Sequence, residues 1–398
     1  MIGTLLSGAV ESLRRADRLV GQRNGRRRIL VDARTPVNFT MIAPVYRAMA
    51  VDPRVAFFFT ASEEPERLRD IYREALSTPS PRAGEDAGVQ LIHPSAARPM
   101  RFDAYIASDF MWQPLPRGTC RIQVFHGVGG KYGFDATTTS MRAWDRIFFV
   151  NERRLRNFIA AGAIDEDSAA IRLIGMPKVD CLVDGSINRE AEVKKLGLDP
   201  SRPTVLYAPT WSPASSLNAI GEELVKGLLQ LPINLVVKLH DRSRDLRERY
   251  SGGVDWVARL QPLLREGRAV IAPGHDISPY LVASDVMITD HSSAGFEFLL
   301  RDRPIVRIHR PALIELANIH KDYVALLASV SDSVEDAAGA LAAVEHGLAD
   351  PTARTADRRR VAADLFYRPG GATARSVDAL YELIELAPAA EARPVKVA

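Results

Sequence analysis

One feature constrains the fold more than any other. Short β-branched and aromatic runs alternate with stretches of helical period along almost the whole chain. RILVDA (28–33), VAFFFT (55–60), VQLIH (89–93), DAYIAS (103–108), RIQVF (121–125) and RIFFV (146–150) read as buried strands. Helical patterns cover 39–50 and 64–76, and STPSPRAGEDAG (77–88) reads as a loop. The alternation pauses in GSINREAEVKKLGLDPSRP (185–203), which is polar and ends in turn residues. It restarts with TVLYAPT (204–210), a helix over 218–230, INLVVKLH (233–240), a charged helix from 243, AVIAPG (269–274), DVMITD (285–290), a helix from 293, and PIVRI (304–308). Strand–helix alternation builds mostly parallel sheets covered by helices on both faces. At 398 residues the chain is too long for one such core, so two domains are expected.

The expected architecture is therefore α/β, with two Rossmann-like domains whose parallel sheets face an interdomain cleft. The first domain covers 26–184, a linker 185–203 and the second domain 204–365. A C-terminal helix and tail, 366–398, is expected to pack back on the first domain. Residues 1–25 form a separate basic amphipathic segment. Ile2, Leu6, Ala9, Leu13 and Val20 recur at helical spacing, and Arg14, Arg15, Arg18, Arg23, Arg26, Arg27 and Arg28 face a single acid, Asp17. Such a segment either docks on the first domain or lies on an anionic membrane surface through residues 1–28.

Composition excludes several classes. No apolar run approaches the roughly 20 residues that cross a bilayer, and no secretory signal pattern opens the chain. Cys120 and Cys181 lie far apart without metal-type or disulfide-framework spacing, which suits a cytoplasmic protein. The basic run carries no interleaved aromatics, so no nucleic-acid partner is expected.

Chemistry in open parallel sheets collects beyond the carboxyl ends of the strands, and here those positions are polar. The strand TVLYAPTW ends in Thr210 and Trp211. INLVVKLH puts Lys238 and His240 on one side of a period-two strand. DVMITD runs into His291, Ser292 and Ser293, and either serine can cap the following helix, whose free amides suit a phosphate. Two serines before a helix are also an ordinary cap, and a lone strand-end histidine is commonly structural. Three such ends in one half-sheet favour a site. Asp290 reads as a loop-fixing residue, His275 precedes a helix that could face the cleft, and His93, His309, His320 and His346 read as structural. With no carboxylate cluster at the strand ends, no metal and no cofactor are expected.

FHG followed by glycines and Lys131, GMPKVD (175–180), YAPTW (207–211), KLH (238–240) and DVMITDHSSAGFEFLLRDRPIV (285–306) resemble, in order and spacing, the CDP-glycerol glycerophosphotransferases of teichoic acid synthesis. The resemblance covers 120–310. It departs at Phe125 for Trp, Asp241 for Pro, His291 for Tyr and Glu297 for Asp, which bears on acceptor and donor identity. It implies a GT-B fold and metal-independent transfer of glycerol phosphate, or a similar polyol phosphate, from a CDP-linked donor to a hydroxyl of a glycan or lipid-linked acceptor, releasing CMP. By the same resemblance His126 is the general base and His240 a second catalytic histidine. Thr210, Trp211, Lys238, Asp290, Ser292, Ser293 and Glu297 hold the donor, while Gly127, Lys131, Gly175 and Lys178 line the acceptor side. A lipid-linked acceptor would place the protein at the inner face of the membrane. Two alternatives fit the same residues: a GT-B glycosyltransferase or nucleotide-sugar epimerase using a UDP-sugar, and a non-catalytic nucleotide-diphosphate-binding scaffold of a polysaccharide assembly system.

Overall fold

The computed structural model describes residues 17, 25–77, 89–129, 131, 139–264 and 266–388. The expected N-terminal helix falls almost wholly outside the described residues. Within it, Asp17 accepts from Arg28 Nη1 at 2.6 Å and from the Arg101 amide at 2.8 Å.

The chain forms two compact units. Unit 1 comprises Met1–Gly127, Ala136–Asp180 and Tyr367–Ala398, and unit 2 comprises Val128–Asp135 and Cys181–Phe366. In unit 1 the strands are β1 (Arg27–Asp32), β2 (Val55–Thr60), β3 (Gln90–Leu91), β4 (Ala104–Ser108), β5 (Cys120–Val124), β6 (Arg146–Phe149) and β7 (Ile171–Leu173). They form one parallel sheet in the order β3-β2-β1-β4-β5-β6-β7. Unit 2 carries β8 (Thr204–Tyr207), β9 (Asn234–Val237), β10 (Ala269–Ile271), β11 (Val286–Thr289), β12 (Ile305–Ile308) and β13 (Asp332–Val334). Its parallel sheet runs β10-β9-β8-β11-β12-β13. In both units the strand order reverses beside the first strand, at β1/β4 and at β8/β11. In doubly wound sheets such a reversal opens a crevice that binds ligands.

The helices that matter for the sites are α1 (Pro36–Met49), α2 (Glu152–Ala160), α3 (Arg189–Lys195), α4 (Ser216–Leu228), α5 (Ala294–Phe298), α6 (Ala337–Ala349) and α7 (Ala372–Leu383). Helix α1 starts three residues earlier than its apolar period suggests. Thr35 caps it, accepting from the Asn38 amide at 3.3 Å while its own amide donates back to Asn38 Oδ1 at 3.0 Å. Pro36 at the first helical position needs no hydrogen-bond acceptor there. The expected helix over 64–76 is broken into a 3₁₀ turn and two short helices, Leu68–Ile71 and Arg73–Ser77. Asn188 caps α3 inside the segment expected to be a linker, and α3 buries Val193, so much of 185–203 is ordered helix and turn within unit 2.

Four-residue strands such as β8, β9, β11 and β12 are buried at every position, because helices cover both faces of the sheet. Helix α4 packs on α6 over unit 2's core of Val205, Leu224, Leu235, Ile288 and Val306. In unit 1, α7 packs against α1. Asp180 fastens α7 by accepting from the amides of Gly370, Ala372 and Thr373 at 2.8, 3.1 and 2.6 Å. No helix among the described residues is long and apolar enough to cross a membrane.

Candidate active site

The crevice of unit 1 lies where β1, β4 and β5 end. Beyond β5 stands His126, with 47% of its side chain accessible and its Nδ1 hydrogen-bonded to Asp109 Oδ2. Asp109 follows β4, and Asn38 in the first turn of α1 donates to the same carboxylate oxygen at 2.8 Å. Burial alone would raise the Asp109 carboxyl. His126, Arg154 and Asn38 outweigh that and hold it below the usual carboxylate range. An ionised Asp109 accepting from Nδ1–H leaves the lone pair of His126 on Nε2, toward solvent.

The backbone that presents Asp109 is strained. Asp109 and Phe110 take φ of 53° and 64°, left-handed conformations that cost non-glycine residues about 1–3 kcal/mol each. Gln123 Oε1 accepts from the Phe110 amide at 2.9 Å, and the Asp109 amide donates to Val124 O at 3.2 Å. The Phe110 ring meets Phe125 edge-on at 5.8 Å. Behind the histidine, Arg154 of α2 lays its guanidinium 3.8 Å from the Phe125 ring centroid and donates to Gly127 O at 3.3 Å. Asp109, Asn38 and Arg154 were not among the residues singled out from sequence. The rule that polar strand ends carry chemistry applies equally to the Asp of DAYIASD.

The two other unit 1 candidates lie in GMPKVD. Gly175 has φ 91°, and a Cβ there would meet Tyr367 O at 2.6 Å, so glycine is required for the returning C-terminal segment to pass. Lys178 is buried. This motif therefore locks α7 onto unit 1, with Asp180 as its clasp.

Unit 2 gathers the rest at the mouths of β8, β9 and β11. Asp290 is wholly buried and engaged by four donors. Thr210 N and His291 N reach Oδ1 at 2.8 and 2.7 Å, and Ser216 N and Oγ reach Oδ2 at 3.1 and 3.0 Å. It ties the loops after β8 and β11 to the start of α4. Among the described residues no group of three or more His, Cys, Asp or Glu side chains is arranged to hold a metal ion.

His240 accepts from the Arg242 amide through Nδ1 at 3.1 Å, which places its proton on Nε2 as a donor. Burial, helped by Arg242, Lys131 and Lys238 against Asp241, pushes its pKa down to about 4. Trp211 lies beside it, ring centroids 6.2 Å apart, under the Arg242 guanidinium at 4.5 Å. Lys238 is buried and donates to Gly274 O at 2.8 Å and Leu239 O at 3.3 Å, tying the β9 and β10 loops together. His275 pairs through Nδ1 with Asp241 Oδ1 at 2.8 Å.

Ser292 Oγ accepts from the Ala294 amide at 3.3 Å, and Ser293 makes no capping bond. The amides of Ser292 and Ser293 have no acceptor among the described residues. Glu297 is buried within the five-residue α5. Lys131 belongs to unit 2, where its carbonyl accepts from the His320 amide at 2.9 Å. Burial, opposed by Asp290, lowers its ammonium to about 8, so it stays largely protonated at neutral pH. His93 and His320 cap short helices through Nδ1.

Two parallel-sheet Rossmann-like units, with polar crevices at their strand-order reversals, define a GT-B fold. Compared across solved structures, the chain aligns with the wall teichoic acid polymerase TagF at TM-score 0.67 and 15% identity, covering 96% of each chain. A variant of TagF soaked with CDPG aligns at 0.66 and 15%, again over 96% of each. The S. aureus MnaA–UDP structure aligns at 0.52 and 12%, over 94% of this chain and 100% of that one. In sequence, residues 96–382 match the family CDP-Glycerol:Poly(glycerophosphate) glycerophosphotransferase, and the chain belongs to that family of enzymes. The teichoic acid poly(glycerol phosphate) polymerase of Bacillus spizizenii is 25% identical over 224 residues, 49% of this chain and 53% of the polymerase. The chain thus matches about half the length of that relative.

Proposed function

We propose that the chain transfers a glycerol-phosphate or similar polyol-phosphate unit from a CDP-linked donor to a hydroxyl of a surface-glycan or lipid-linked acceptor. The acceptor oxygen attacks the phosphorus that carries the polyol. The bond from that phosphorus to the bridging oxygen breaks, and CMP leaves with both bonding electrons. The hydroxyl proton passes to His126 Nε2. Imidazole is matched to this transfer near neutral pH, and Asp109 orients the ring through Nδ1.

Phosphoryl transfer otherwise depends on positioning and on neutralising charge at the diphosphate. That task falls to Lys131, the Nε2–H of His240 and the amides of Ser292 and Ser293, without a divalent metal. Asp290 and Lys238 act as positioning residues that hold these loops, while Gly175 and Lys178 lie in the unit 1 motif that seats α7. The basic segment 1–28 would keep the protein on the cytoplasmic face of an anionic membrane, close to a lipid-linked acceptor.

The observation that carries this reading is the Asp109-oriented His126 in a chain of this family. Incubation with CDP-glycerol, CDP-ribitol or UDP-sugars and varied acceptors, with and without EDTA, tests it. CMP release that survives EDTA and falls about 10²–10⁴-fold in His126→Ala, with donor binding retained, is expected. Release of UDP instead, or of no nucleotide from any CDP-polyol, would refute it.

A further inference from the structure

We propose that His291, Arg307 and His309 form an anion pocket in unit 2, at the mouths of β11 and β12, that takes a phosphoryl group of a substrate. The source of that group rests on the transferase reading above; the pocket does not. His291 is fully buried, and neither ring nitrogen has a hydrogen-bond partner among the described residues. Buried polar atoms are nearly always satisfied, so a buried imidazole with both nitrogens unmatched calls for a partner from outside the chain.

Its surroundings say which kind. Arg307 is 5% exposed and lies on β12, level with Thr289 of β11 and Ser333 of β13. Its Nε and Nη2 donate to Ser333 Oγ at 3.2 and 2.7 Å, and its Nη1 lies 3.1 Å from His309 Nδ1. The His309 and His291 rings stand edge to face, 6.2 Å between centroids. Arg310 follows His309, and its Nε is also buried and unmatched. No carboxylate pairs with Arg307 or Arg310 among the described residues. The nearby acid, Asp290, has both oxygens engaged by four donors.

Several N–H donors with surplus positive charge, and no carboxylate paired with either arginine among the described residues, suit a tetrahedral polyanion. Arg307 and Lys131, after burial, hold His291 neutral, so a bound phosphoryl group meets one ring N–H rather than a third buried cation. Two sources share this chemistry: the donor diphosphate and a phosphodiester of the acceptor.

The full-length protein and its His291→Phe and His309→Gln variants are titrated with inorganic pyrophosphate by calorimetry, with thermal unfolding in parallel. Each variant should bind pyrophosphate about tenfold more weakly or worse, as expected for one lost charge-assisted hydrogen bond. His291→Phe should show no fall in Tm, since the ring it replaces makes no hydrogen bond. Unchanged affinity in both variants, or a wild-type protein that does not bind pyrophosphate, overturns the pocket. Weaker CDP-glycerol binding in the variants assigns the donor as source. A raised KM confined to a phosphate-bearing acceptor assigns the acceptor. A wild-type protein that binds pyrophosphate through these residues yet releases no CMP would sink the transferase reading and leave the pocket standing.

Discussion

Replacing Asp290 by alanine tests the claim that unit 2's site rests on one buried carboxylate. The carboxylate accepts from three backbone amides, those of Thr210, His291 and Ser216, and from the Ser216 hydroxyl. Alanine leaves the three amides without an acceptor in a buried loop junction. Each buried, unsatisfied donor costs about 1–3 kcal/mol. Relief of the buried carboxylate's own desolvation and entry of water offset part of this. The expected loss is about 3–5 kcal/mol for Asp290→Ala. Asp290→Asn should lose roughly half as much, because one amide oxygen still serves the Thr210 and His291 donors. The chain has two units, so a single two-state transition is not assumed. Amide exchange of Thr210, His291 and Ser216 is read alongside urea unfolding of unit 2. A stability loss under about 0.5 kcal/mol with protection of those amides retained would refute the reasoning.

Asp109→Asn keeps a side chain tolerant of φ 53° and should leave the fold intact. It should lower kcat by less than His126→Ala does while leaving donor affinity unchanged; a Kd shift with unchanged kcat would assign Asp109 to binding instead. His240 and His291 have folded pKa values of about 4 and about 3, below the ordinary histidine value. The unfolded chain therefore takes up protons first as pH falls below about 6.5, and stability that is full above that pH declines toward 4, by up to about 1.4 kcal/mol per pH unit for each group. Urea unfolding at pH 7.5 and 5 measures the decline, which His291→Phe should reduce; a flat profile would contradict the buried, neutral state of both rings. In flotation with anionic liposomes, the full chain should rise and a form lacking residues 1–24 should not, and equal recovery of both would dismiss the membrane role of that segment.

Much of the fold was legible because strand and helix periods are local properties. Eleven apolar runs of the right length marked eleven strands. The two they missed, Ile171–Leu173 and Asp332–Val334, are three-residue edge strands, too short to show a period and fully buried at no position. They exist because a neighbouring strand offers them a ladder, which no local pattern records. A helix boundary slipped where capping rather than hydrophobic period sets the start, as at Thr35, and the short helix that Asn188 caps was read as linker because its sequence is mostly polar.

The site divides along the same line. The order of motifs, the polar residues at the strand ends and the family resemblance are written in the sequence, and they singled out His126, His240 and the Asp290–Ser293 turn. What each side chain does was decided by tertiary contact. Lys238 and His240 stand two residues apart at one strand end, yet one is tied to carbonyls and the other presents a ring N–H. Asp109 becomes the partner of His126 only because β4 pairs with β5, bringing the two strand ends together across 17 residues of chain. Gly175 needs its missing Cβ only because Tyr367, far along the chain, passes over it. Periodicity is set by near neighbours. Hydrogen-bond partners and proton affinities are set by whatever the folded chain brings within a few ångströms, and here that is mostly distant in sequence.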